Sequence, residues 1–168
     1  MKNIVLIGFM GCGKSSIGAK LAKVFQCPLI DTDQVLEEEF GCTISEFFER
    51  EGEEEFRKRE TMLLERFIQK KEKMVLATGG GMPLRAENAA LLKKIGTVFF
   101  LKVTPEETLA RLENDTTRPL LMGEDKEKKV RKLLAERMPK YMAAADYVIE
   151  TDGKSFYEII NEVETAVK

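Results

Sequence analysis

Short, unbroken apolar runs alternate along this chain with longer stretches in which apolar residues return every three or four positions. The runs at residues 4–7, 28–30, 74–77, 97–103 and 147–150 read as buried strands, continuous and mostly β-branched or aromatic. Helical spacing occupies residues 17–25, a stretch from 43 to about 71, then 85–94, 104–112, about 128–143, and the segment after Ser155. Start signals sharpen several of these. Thr43 and Glu46 stand as a capping box, with Gly52 punctuating the stretch they open. Thr104, Pro105 and Glu107 give a cap, a proline at the first helical position and an acid at the third, and Ser155 caps the terminal helix toward Glu158. Pro139 is expected to kink its helix. Strands alternating with helices predict an α/β fold: one domain, a parallel sheet covered on both faces, with no repeat or linker.

A chain of 168 residues is long enough to bury a real core. Its 27 Lys and Arg against 29 Asp and Glu leave a net charge of −2. No basic excess is present to drive counterion release, so nucleic acid is not an expected partner, and any anion must be held by a few placed cations. The three cysteines form no CxxC pair, which fits reduced thiols and a cytoplasmic protein. The first apolar stretch, residues 4–10, is too short to span a bilayer and lacks a cleavage-type site, so neither membrane nor secretion is expected. A monomer is the expectation. Histidine is absent, which removes Ser-His-Asp hydrolysis, His-ligated metals and His acid-base catalysis.

The stretch GFMGCGKSS, residues 8–16, follows the first strand and opens the first helix. Gly8, Gly13, Lys14 and Ser15 complete a phosphate-binding loop. Its glycines let backbone N–H groups turn inward around phosphate oxygens, Lys14 supplies a point charge, and the Ser15 hydroxyl can ligate Mg²⁺. The helix that starts here adds its positive end. None of the four asparagines begins an Asn-Lys-x-Asp guanine motif, and the chain is smaller than a motor ATPase. A phosphotransferase acting on a small acceptor remains. Elsewhere the residues alone leave two readings open. Asp31 and Asp33 serve a site or merely cap the next helix; Arg57 lies in a charge run that is ordinarily a solvated face; Gly79–Gly81 make a turn or admit a close approach. Cys12 is either a reactive thiol at a helix N-terminus or a small residue that fits.

Taken in order, GFMGCGKSS, the Asp31 to Asp33 triplet, Phe56-Arg57 through Glu60, Gly79–Gly81, Arg118 through Leu121 and Arg137 through Tyr141 resemble the shikimate kinase family across residues 3 to about 150. The resemblance implies a P-loop NTPase fold like the nucleoside monophosphate kinases, with a five-stranded parallel sheet, an acceptor-binding helical region at about 33–61 and a mobile lid at about 114–126. It implies transfer of the ATP γ-phosphate to the 3-hydroxyl of shikimate. Gly11, Cys12, Gly13, Lys14, Ser15 and Ser16 would hold ATP, with Arg111 on the adenine and Arg118 swinging onto the phosphates. Ser15 and Asp31 would lie at Mg²⁺. Asp33 would be the base, and Arg57, Arg137 and the Gly79, Gly80 and Gly81 backbone would bind shikimate. Another small-molecule kinase of this fold, for gluconate or a nucleoside monophosphate, or a nucleotide-dependent switch, would share the loop.

Overall fold

The computed structural model describes residues 2–113 and 125–168. Five strands, β1 (Asn3–Ile7), β2 (Leu29–Asp31), β3 (Val75–Ala77), β4 (Gly96–Lys102) and β5 (Tyr147–Glu150), form one parallel sheet in the order β2-β3-β1-β4-β5. All four pairings are parallel, with Leu6 beside Ala77 on one side and Phe99 on the other. The five expected strands are all present, each shifted by no more than a residue or two.

Eight α-helices are described: α1 (Lys14–Val24), α2 (Thr32–Phe40), α3 (Ile44–Glu51), α4 (Glu53–Lys70), α5 (Ala86–Ile95), α6 (Pro105–Leu112), α7 (Lys126–Ala144) and α8 (Phe156–Val167). The expected caps form: Thr43, Thr104 and Ser155 each accept a backbone N–H three residues on. Helix α2, which no periodicity marked, follows β2 without a break. Asp31 ends the strand, and its carboxylate accepts the N–H groups of Asp33 at 3.0 Å and Gln34 at 3.2 Å. Pro139 lies inside α7, within the helix as expected. The expected lid lies outside the described residues except for Asp125 and Lys126, and Lys126 begins α7.

The period of two along β1 divides the core. Val5 and Ile7 pack with residues of α4, α5 and α7, whereas Ile4 and Leu6 pack with α1 and α8. A third, smaller cluster holds α2, α3 and α4 together through Leu36, Phe47, Phe56 and Leu63. There Phe40 stacks on Phe47 with ring centroids 3.9 Å apart, and Phe56 meets both more nearly edge-on. This cluster ties α4 to α2, the helix that follows β2, and with it the side chains that α4 points inward. No described helix is long and apolar enough to cross a membrane.

The loops after β1 and β3 lie side by side, because β1 and β3 are adjacent in the sheet while the chain leaves them toward opposite edges. A crevice at the carboxyl ends of such strands is the usual ligand position in open parallel sheets.

Candidate active site

Two pockets meet in that crevice. The first, about 470 Å³, is lined by Met10–Ser16, Asp31, Asp33, the Ala77–Gly80 strand end and Arg111. The second, about 550 Å³, lies between α2, α3, α4 and α7 and is lined among others by Phe48, Arg57, Glu60, Gly81 and Arg137. Asp33, Gly79, Gly80 and Met10 belong to both. Of these four shared residues Asp33 carries the one ionisable side chain, so a group bound in either pocket has the same carboxylate in its wall.

In the first pocket, Gly13 takes the left-handed conformation (φ 97°) and forms the N-cap of α1 with no side chain capping it. The first-turn N–H groups therefore remain as donors at the positive end of the helix, a ready anion site. The Lys14 ammonium arches back over the loop, donating to the carbonyls of Gly8 at 2.6 Å and Phe9 at 3.2 Å. Ser15 Oγ donates to Asp31 Oδ2 at 3.5 Å, which puts a hydroxyl and a carboxylate oxygen together beside the loop. Arg111 reaches from α6 to the Gly11 carbonyl at 3.1 Å while pairing with Glu107. The Cys12 thiol is 3% exposed and packs in the core beneath Gly8, so alkylating it requires the loop to open. Its N–H is bonded to the Phe9 carbonyl.

The second pocket is built around a buried pair. Arg57 Nη1 donates to Glu60 Oε1 at 2.6 Å, and Nη2 to the exposed Glu53 at 3.3 Å. Burial alone would lower the pKa of this guanidinium; the two carboxylates more than reverse that, and it stays charged. Glu60 is fully buried and its Oε2 has no partner among the described residues. Burial pushes its carboxyl up to about 7, against the pull of Arg57. Asp33 is likewise pushed up to about 6, chiefly by burial and then by the Asp31 charge, with Lys14 and Arg57 opposing. From α7, Arg137 enters the same pocket with its guanidinium 5.6 Å from the centre of the Phe9 ring.

Two of the three glycines after β3 are explained by side chains of the protein itself. A Cβ on Gly79 would collide with the Asp33 carboxylate, and one on Gly81 with the Arg57 guanidinium. One on Gly80 would stand 3.4 Å from Arg137 Nη1. Gly81 has an ordinary backbone (φ −91°), so at this position space and not conformation requires glycine. Thr32 Oγ1 accepts the Gly79 N–H at 3.0 Å, tying this loop to the start of α2.

Of the residues singled out from the sequence, all but one thus gather in the two pockets or on the loop between them. Arg118 lies outside the described residues. Glu60 and Tyr141 went unassigned. Glu60 could have been found: Phe56, Glu60, Leu63 and Leu64 share one helical face, which places a carboxylate on the apolar stripe of α4. Tyr141 gave no such sign.

Comparison with known proteins follows the same lines. A family model for shikimate kinase matches residues 10–168. A shikimate kinase of Francisella tularensis subsp. holarctica is 45% identical over 164 residues, covering 98% of this chain and 93% of that one. The structure of shikimate kinase from Acinetobacter baumannii in complex with shikimate is 38% identical, with a TM-score of 0.91, and the match covers 99% of this chain and 93% of the other. Deoxyadenosine kinase from M. mycoides, 16% identical with a TM-score of 0.58 over 99% of this chain and 98% of its own, shares the fold alone. Because the family match runs unbroken from the phosphate loop to the last helix, the chain belongs to the shikimate kinase family.

Proposed function

We propose that this protein transfers the γ-phosphoryl group of ATP to the 3-hydroxyl of shikimate, giving shikimate 3-phosphate and ADP on the route to aromatic amino acids. The observation that carries this reading is the junction of the two pockets at Asp33, with cationic groups on either side. The triphosphate lies over the α1 N-terminus, held by the backbone of residues 11–16 and by Lys14. Arg111 flanks the nucleotide from α6. Shikimate, a carboxylate with three hydroxyls, places its carboxylate between Arg57 and Arg137 and its reacting hydroxyl at Asp33. Asp33 accepts the hydroxyl proton as the oxygen attacks phosphorus; the bond from phosphorus to the β,γ-bridging oxygen breaks, and ADP leaves with that electron pair. Lys14 neutralises charge spread over the transferring group, and Arg118, carried over from the family pattern, adds a second cation from the lid.

The Ser15 hydroxyl and the Asp31 carboxylate are hard oxygen donors suited to Mg²⁺. Among the described residues no cluster of three or more His, Cys, Asp or Glu is placed to hold an ion, so most ligands would come from phosphate oxygens and water. Bound there, Mg²⁺ would offset phosphate charge and align the terminal phosphate. ATP, shikimate and this ion suffice as partners for a monomeric enzyme.

Coupled ADP release tests the reading: formation should require shikimate, with gluconate and nucleoside monophosphates giving only the slow background of ATP hydrolysis. A response to either alternative acceptor in place of shikimate overturns it. Gly81→Ala probes the acceptor pocket separately. Its methyl group displaces Arg57, so KM for shikimate should rise about tenfold while KM for ATP stays within twofold. Equal effects on both substrates would contradict the assignment.

A further inference from the structure

The acceptor pocket contains a backbone donor whose direction is set from behind. Tyr141, on α7, is fully buried, and its hydroxyl donates to the Gly80 carbonyl at 2.7 Å. A trans peptide is planar, so the N–H of Gly81 points opposite to the Gly80 carbonyl and therefore away from Tyr141. Gly81 lines the acceptor pocket and Tyr141 does not. The Gly81 N–H has no partner among the described residues, although the neighbouring Gly79 N–H is bonded to Thr32. Close beside the same peptide stand both guanidinium groups, Arg57 at Gly81 and Arg137 at Gly80.

We propose that Tyr141 is a positioning residue for acceptor recognition: by holding the Gly80 carbonyl it fixes the direction of the Gly81 N–H, one of the backbone groups that the family resemblance already places at the acceptor beside Arg57 and Arg137. The inference deepens the functional reading above and rests on it. A run of three glycines has little conformational resistance of its own, and a free Gly80–Gly81 peptide could rotate to present its carbonyl, repelling the anion it should bind. The phenol prevents this. Burial raises its pKa to about 12, so the hydroxyl remains a donor wherever the enzyme works.

Tyr141→Phe removes one oxygen and keeps the ring that packs against Phe100. In steady-state kinetics its KM for shikimate should rise about five- to tenfold while KM for ATP stays within twofold, the scale expected for one mis-set hydrogen bond. In the wild type, saturating shikimate should shift the Gly81 amide signal in a proton–nitrogen correlation spectrum, and in the variant that shift should shrink. Three results overturn the inference: a shikimate KM within twofold of wild type even if melting temperature falls, equal rises in both KM values, or a wild-type Gly81 amide that shikimate does not move. Should the variant fail to fold, a wild-type Gly81 amide that shikimate does not move still overturns the inference. A wild-type protein that forms no ADP in response to shikimate fails the functional reading and this inference together, and shows it before any variant is made.

Discussion

Replacing Asp33 by Asn should lower kcat for shikimate phosphorylation about 10²- to 10⁴-fold, the contribution of a positioned general base. The substitution is nearly isosteric, so the amide still fits against Gly79, where only a glycine leaves room. ATP and shikimate should each bind within a few-fold of wild type, measured by titration calorimetry. Since Asp33 lies in both pockets, a nucleotide-only or acceptor-only binding defect would place it elsewhere in the reaction. A kcat within tenfold of wild type would remove Asp33 as the base and leave catalysis to charge neutralisation by Lys14 and the bound cation.

Arg57→Ala should raise KM for shikimate about 100-fold or more, because the proposed binding mode then loses a charge-assisted contact to a carboxylate in a buried site. Its KM for ATP should be nearly unchanged. The same substitution strips Glu60 of its cation. Removing one partner of a buried pair typically costs about 3–5 kcal/mol, so the melting temperature should fall as well. The pH dependence has a definite sign. The Glu60 carboxyl in the folded protein already titrates above its ordinary value, at about 7. Its favourable share of stability is fully present below the unfolded value near 4.5 and is lost as pH rises through 7. Without Arg57 the folded value moves higher still, so the variant should lose more stability relative to wild type at pH 9 than at pH 6. Melting curves at both values check this; a difference independent of pH would mean that Glu60 does not depend on Arg57.

What was readable beforehand follows the range of the interactions. Caps at Thr43, Thr104 and Ser155 are written within four residues, and they formed as read. Helix α2 escaped notice because its cap, Asp31, is also the last residue of a strand, so one side chain ends one element and starts the next. The charged run around Arg57 looked like a solvated face. Half of it is: Glu53 and Glu54 are open to water, while Arg57 is largely and Glu60 completely enclosed. Helical spacing distinguishes the two sets only once Phe56, Leu63 and Leu64 are recognised as the inward face.

By itself the sequence determined the strand–helix alternation, the phosphate loop and the exclusion of histidine chemistry, because each depends on neighbours along the chain or on composition. Only the tertiary structure decided the strand order that sets the loops after β1 and β3 side by side. It also decided why glycines follow β3 at residues 79 and 81: each faces a side chain brought from α2 or α4, more than twenty residues away. Excluded volume between distant segments has no signature in local periodicity. It exists only after the helices have packed.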